Sequence, residues 1–155
     1  MKILYICTHN RCRSILSEAI TNAKSGGRLV ARSAGSQPSG EVHPLSIKYL
    51  AEAGIPTVGL SSKSWDAFED FAPDLVVTVC DSAAGETCPV WFGKALKVHW
   101  GLDDPSKLQG SEAQLADAFR RTITEIGERV DGLLTLVQSD RSQWVAALSR
   151  LGARL

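Results

Sequence analysis

The feature that most constrains this chain is the alternation of short apolar runs with longer stretches of helical periodicity. Lys2 to Ile6, Arg28 to Ser33, Asp74 to Val79 and Ala95 to His99 read as strands, the third rich in β-branched residues. Between and after them lie helical patterns: Ile15, Leu16, Ala19 and Ile20 behind Ser14 as N-cap; Pro44 to Ala53, with Leu45, Ile47, Leu50 and Ala51 on one face, closed by Gly54; a short helix at Asp66 to Phe71; a long amphipathic helix from about Ser111 to Val137, with Leu115, Phe119, Ile123, Ile126 and Val130 inward; and a last one through Trp144, Leu148 and Leu151. Strands separated by helices pair in parallel, with the helices on both faces. The expected fold is therefore α/β, a three-layer α/β/α sandwich around a central parallel four-stranded sheet.

A length of 155 residues fits one domain, residues 1–155, with the stretch from about 139 to 155 as a helical extension. Seventeen basic side chains balance 17 acidic ones, so no basic excess exists to neutralise phosphates, and nucleic acid is not the expected partner. Neither a signal peptide nor a membrane segment is visible, which points to the cytoplasm and away from a membrane partner. In a reducing compartment Cys7, Cys12, Cys80 and Cys88 are not expected to be permanent disulfide staples.

Ligands of parallel sheets bind beyond the carboxyl ends of the strands. Cys7, Cys80 and the pair Asp103-Asp104 all follow expected strand ends, so the topology places them in one cleft. The loop after the first strand reads Cys7-Thr8-His9-Asn10-Arg11-Cys12-Arg13-Ser14, with five residues between Cys7 and Arg13. Backbone N–H groups of such a loop, with a helix N-terminus behind them, can cradle a tetrahedral oxyanion. Arg13 can add a planar, bidentate clamp, and positive potential at the base of the cradle favours a Cys7 thiolate. The competing reading is a small buried thiol at a strand end and a chance spacing; the strand before, the helix after and Ser14 weigh against it.

Cys-x5-Arg-Ser directly after the first strand resembles the signature of the low-molecular-weight tyrosine phosphatases and their arsenate reductase relatives. The similarity extends to Asn10, Ser33-Ala34-Gly35, Val79-Cys80 and His99-Trp100-Gly101-Leu102-Asp103-Asp104-Pro105, covering about residues 1 to 137. The family often has glycine where this chain has His9, and a small residue in place of Arg11. The resemblance implies a phosphatase-like fold, oxyanion binding by Thr8 to Ser14, a nucleophilic Cys7 and a general acid at the aspartate before proline, Asp104. Without Cys7 and Arg13, Asp104 would read as a turn aspartate.

Cys80 and Cys88, with Pro89-Val90 after them, look like the resolving and shuttling cysteines of thioredoxin-linked arsenate reductases. Their spacing is one residue longer than in the best-known relatives of that type. On this resemblance arsenate is the substrate, with phosphate or sulfate competing, and thioredoxin or glutaredoxin is the electron donor. Cys12 is then structural, with a protective pairing to Cys7 under oxidation as the alternative. Asn10, Glu18 and Ser33 match positions that hold potassium in some relatives; Trp65, with Asp66 beside it, stands where a fourth, aspartate ligand is expected. No tightly bound cofactor is otherwise implied, and Asn10 with Ser33 also reads as a simple loop brace. His99 and Trp100 read as packing beneath the acid loop.

Three other readings compete. A phosphatase for phosphate monoesters needs Cys7, Arg13 and Asp104 but neither Cys80 nor Cys88, and here Ser106 stands where such enzymes usually carry an aromatic residue. A non-enzymatic arsenite- or metal-binding thiol protein gives Arg13 and Asp104 no task. Zinc fits neither Cys7/Cys12 nor Cys80/Cys88 by spacing.

Overall fold

The computed structural model describes residues 1–80 and 95–152, with side chains to residue 148. Four strands, β1 (Lys2–Ile6), β2 (Val30–Ala34), β3 (Leu75–Thr78) and β4 (Leu96–His99), form one parallel sheet in the order β2-β1-β3-β4. Ile3, Leu4, Tyr5 and Ile6 are all at most 1% exposed. Since successive strand residues point to opposite faces, β1 is covered on both sides, as a central parallel strand must be. The helices are α1 (Arg13–Ser25), α2 (Pro44–Glu52), α3 (Glu112–Leu136) and α4 (Trp144–Gly152), with a 3-10 segment at Trp65–Phe71. The α/β expectation with a parallel four-stranded sheet holds.

Several boundaries differ from those read in the sequence. The second strand runs Val30–Ala34 rather than from Arg28, because the chain still turns there: Arg28 N–H bonds the Ser25 carbonyl, and Gly26 closes α1 in the left-handed region. Ser14 does not cap α1. Cys12 holds the N-cap position without a side-chain cap bond, and Ser14 lies inside the first turn, accepting from Asn10 Nδ2 at 2.8 Å. On α2 the buried face is Ser46, Tyr49 and Leu50, with Ala51 exposed, because Tyr49 stacks on Phe119 of α3 at 5.2 Å between ring centroids. On α3, Leu115 and Ile123 are half-buried edges of a stripe centred on Phe119, Ile126, Val130 and Leu133. A capping box at Ser111 and Gln114 starts that helix. The tail is a short 3-10 turn, Arg141–Gln143, followed by α4, with Trp144 and Leu148 buried. Leu151 lies outside the described side chains.

The strand order reverses between β1 and β3. The chain leaves β1 to one side to make β2, then crosses to the other side to make β3, leaving a crevice at their shared carboxyl ends. Ile6 pairs with Thr78, and Val79 N–H bonds the Ile6 carbonyl at 2.9 Å. That register delivers Cys7 and Cys80 side by side.

Candidate active site

The loop between β1 and α1 is shaped by where its carbonyls go. Gln37 N–H bonds the Thr8 carbonyl at 2.9 Å, Ser39 N–H the His9 carbonyl at 3.0 Å, and His43 N–H the Arg11 carbonyl at 2.9 Å; the Cys12 carbonyl turns into α1 toward Leu16 N–H. In a planar trans peptide the C=O of one residue and the N–H of the next point opposite ways. Pinning the Thr8, His9 and Arg11 carbonyls to the surrounding chain therefore turns the N–H groups of His9, Asn10 and Cys12 to the inner side. The uncapped start of α1 adds its own unpaired N–H groups and the positive end of the helix dipole. The result is a concave loop whose N–H groups face inward at the start of α1.

Asn10 makes the tight bend possible. Its φ is +47°, a left-handed conformation that asparagine tolerates better than most residues, and it is fully buried. Its Nδ2 donates to Ser14 Oγ (2.8 Å) and Ser33 Oγ (3.0 Å), and its Oδ1 accepts from Lys63 N–H (2.9 Å). Gly35 is packed on the outside of the same bend, so close to the Cys7 and Thr8 carbonyls that no side chain fits there.

A cavity of about 100 Å³ at this point is lined by Cys7, Thr8, His9, Arg11, Cys12, Arg13, Cys80, Asp104 and Lys107. The structure thus brings together the expected Cys7, Arg13, Asp104 and Cys80. Cys88 lies outside the described residues. Asn10 and Ser14 sit behind the cavity wall as braces rather than in it.

The Cys7 thiol hydrogen-bonds Cys80, whose sulfur also lies 3.8 Å from Thr8 Oγ1. Cys7 is held above the ordinary thiol range. The Cys80 contact is the largest cause, then burial, then repulsion from Cys80; the Arg13 charge and the His9 N–H pull the other way. Two thiols in hydrogen-bond contact cannot both ionise readily, so the first proton is lost by the pair. Cys12, 2% exposed, is raised to about 11 by burial and bonds Ser46 and Ser106.

Arg13 reaches across the cavity instead of curling over the loop alone. Its Nη1 donates to the Leu102 carbonyl at 2.9 Å, and its Nη2 lies 3.5 Å from Asp104 Oδ2. Its Nε is buried without a hydrogen-bond partner among the described residues, a donor that an oxyanion in the cradle would satisfy. Asp104 Oδ1 accepts two bonds from Ser106, 2.6 Å from the hydroxyl and 3.0 Å from the N–H. Trp100, 1% exposed, supports this loop from below against Tyr5.

Residues that sequence reading passed over are Lys63, Ser46, Ser106 and Lys107. Ser106, which the sequence marks only by its lack of a ring, joins Asp104 to Cys12. Its place directly after Asp-Pro was the available signal; Lys63 and Ser46 arrive from distant segments and carry none.

Known proteins resemble this chain in both sequence and fold. The sequence profile described as low molecular weight phosphotyrosine protein phosphatase matches residues 2–143. An arsenate reductase of Halalkalibacterium halodurans is 37% identical over 128 residues, 83% of this chain and 91% of that protein. One from Bacillus subtilis is 36% identical over 130 residues, covering 83% and 92%. Among solved structures, an arsenate reductase in the phosphate-binding state superimposes with a TM-score of 0.73 at 27% identity, over 88% of this chain and 98% of that one. A thioredoxin-dependent arsenate reductase of Corynebacterium glutamicum gives 0.68 at 28% identity, over 88% of this chain and 61% of that one.

Proposed function

Because this chain belongs to the low-molecular-weight phosphotyrosine protein phosphatase family, and because its relatives are arsenate reductases, we infer that it reduces arsenate to arsenite. The observation that carries this reading over phosphate-ester hydrolysis is the second thiol: Cys80 touches Cys7 inside the oxyanion cradle. Hydrolysis needs one nucleophile and water, whereas reduction needs two electrons, which a pair of thiols supplies. Ser106, which lacks a ring to stack on an aryl ester, points the same way.

Arsenate docks on the inward N–H groups and on Arg13, whose buried Nε, without a partner among the described residues, favours it. Cys7 thiolate attacks arsenic, and Asp104 gives a proton to the departing oxygen, which leaves as water. Cys80 thiolate then attacks the Cys7 sulfur. The sulfur–arsenic bond breaks, its electron pair stays on arsenic, and arsenite leaves as a Cys7–Cys80 disulfide forms. Cys88 attacks Cys80 and moves the disulfide to Cys80–Cys88, from which a dithiol donor of the thioredoxin or glutaredoxin type regenerates the enzyme. Each step conserves atoms and electrons, with two electrons from the donor for each arsenate. The cycle requires reduced thiols, hence a reducing cytoplasm. Among the described residues no helix is long and apolar enough to cross a membrane.

The test is a single turnover without donor. Reduced Cys88→Ser protein and equimolar arsenate should yield stoichiometric arsenite and a Cys7–Cys80 disulfide by peptide mass mapping. No arsenite, with both thiols still free, refutes the reading.

A further inference from the structure

Behind the cradle lies a buried charge that the reaction does not use. Glu18, on α1, is 7% exposed. A carboxylate so far from water needs a partner. Its Oε1 accepts the Ser33 hydroxyl at 2.6 Å, and Lys63 Nζ stands 3.8 Å from the same oxygen. Lys63 is half-buried and also donates to the Ser61 carbonyl at 2.7 Å. Its backbone is tied to the site as well: its N–H bonds Asn10 Oδ1, and its carbonyl accepts from Gly35 N–H at 3.0 Å.

These bonds assign the protons of the cluster. Asn10 Oδ1 must face Lys63, since an N–H needs an acceptor, so the amide nitrogen faces Ser33 and Ser14. The Ser33 proton goes to Glu18, leaving its lone pair for Asn10 Nδ2. Asn10, Ser33 and Glu18, the three residues that match a potassium site, therefore turn toward one another an amide nitrogen, a hydroxyl that donates to Glu18 and accepts from Asn10, and a carboxylate whose Oε1 already faces Ser33 and Lys63. That is a poor donor set for a cation, which takes oxygen lone pairs. The positive charge is present in covalent form.

We propose that Lys63 is a built-in counter-ion. Its ammonium neutralises Glu18, its backbone holds Asn10 in the left-handed bend, and the oxyanion loop is thereby set without any monovalent cation. Lys63 is a positioning residue: it touches no lining residue of the cavity through its charge, and acts through Glu18, Ser33 and Asn10. The proposal rests on the oxyanion-loop reading of Cys7 to Ser14, and phosphate binding by the wild-type protein checks that reading separately.

The experiment measures phosphate affinity by calorimetry and the thermal midpoint, each in potassium chloride and in choline chloride at matched ionic strength. Wild type should give the same affinity and midpoint in both salts. Lys63→Met takes away the ammonium and leaves buried Glu18 with only the Ser33 bonds and the Arg32 charge, and should lose phosphate affinity by about tenfold or more and melt earlier. Lys63→Met with Glu18→Gln removes the buried charge and should recover most of the lost midpoint, which simple damage to packing would not. Tighter phosphate binding or a higher midpoint of wild type in potassium overturns the proposal. So does a Lys63→Met protein equal to wild type, or one that Glu18→Gln fails to rescue. Absence of phosphate binding by wild type in both salts would instead refute the oxyanion loop itself.

Discussion

Replacing Gly35 by alanine puts a methyl group against the back of the oxyanion loop. The added carbon would stand 2.4 Å from the Thr8 carbonyl oxygen and 2.6 Å from that of Cys7, where ordinary contact begins at 3.4 Å. The Thr8 oxygen must therefore retreat by about 1 Å (3.4 less 2.4). Gly35 cannot yield instead: its N–H bonds the Lys63 carbonyl at 3.0 Å, its carbonyl accepts from Trp65 N–H at 3.1 Å, and it bridges Ser64. Nor is backbone conformation at issue, since Gly35 is not among the positive-φ glycines. The Thr8–His9 peptide so displaced carries one of the cradle N–H groups, that of His9. A shift of about 1 Å in a positioning group costs on the order of 100-fold in rate, and overpacking of this kind costs about 1–3 kcal/mol of stability. Calorimetric phosphate binding, thermal melting and arsenate turnover of Gly35→Ala against wild type read all three. A variant that binds phosphate within about twofold of wild type and turns over normally would refute the account of how the cradle is held.

Ser106→Ala removes a 2.6 Å bond to Asp104 and should lower kcat/KM for arsenate about 5- to 30-fold, equivalent to about 1–2 kcal/mol, while Ser106→Thr stays near wild type; equal rates for all three contradict the positioning of the acid by this hydroxyl. Cys80→Ala removes the largest influence that keeps Cys7 protonated, so Cys7 should be alkylated faster by iodoacetamide near neutral pH; unchanged or slower labelling by peptide mapping contradicts it. Partial burial pushes the Asp74 carboxyl up, but the Lys2 N–H and the Arg141 bond and charge together outweigh it and hold it below its usual value. A depressed carboxylate stabilises the fold above its unfolded pKa, and that contribution fades as pH falls through the folded one. Asp74→Asn should thus melt earlier than wild type at neutral pH, with the gap closing in acid; a gap that widens in acid would show the sign to be wrong.

Much of this molecule is legible in its sequence because parallel strands in a doubly covered sheet must be apolar throughout. Lys2 to Ile6 is read to the residue, and the placing of Cys7 and Cys80 after strand ends reads them into one cleft, whereas the strand order leaves no mark in the sequence. The strand at Val30 is misplaced because Arg28 and Leu29 continue its apolar-polar pattern, while the turn bond from Arg28 to Ser25 leaves no mark in composition. Ser14 reads as a cap by residue type, but the oxyanion loop ends in an uncapped helix, and that leaves N–H groups for a ligand. The motif from Cys7 to Arg13 is legible from its spacing taken together with the strand before it, the helix after it and Ser14. The residues that tune it are not: Cys80 raises Cys7 only through the β1–β3 register, and Lys63 reaches Asn10 and Glu18 from a loop more than forty residues downstream of both. Long-range contacts of this sort depend on the tertiary fold and have no local signature.

The measurement that bears most directly on the central claim is arsenate-dependent NADPH oxidation by the reduced protein, coupled to thioredoxin and thioredoxin reductase, with a glutathione–glutaredoxin couple run in parallel. Steady NADPH consumption that starts with arsenate, is absent with phosphate and vanishes in Cys80→Ala is the predicted result. No arsenate-dependent consumption with either donor, alongside steady hydrolysis of an aryl phosphate that survives Cys80→Ala, would contradict it and leave a phosphatase.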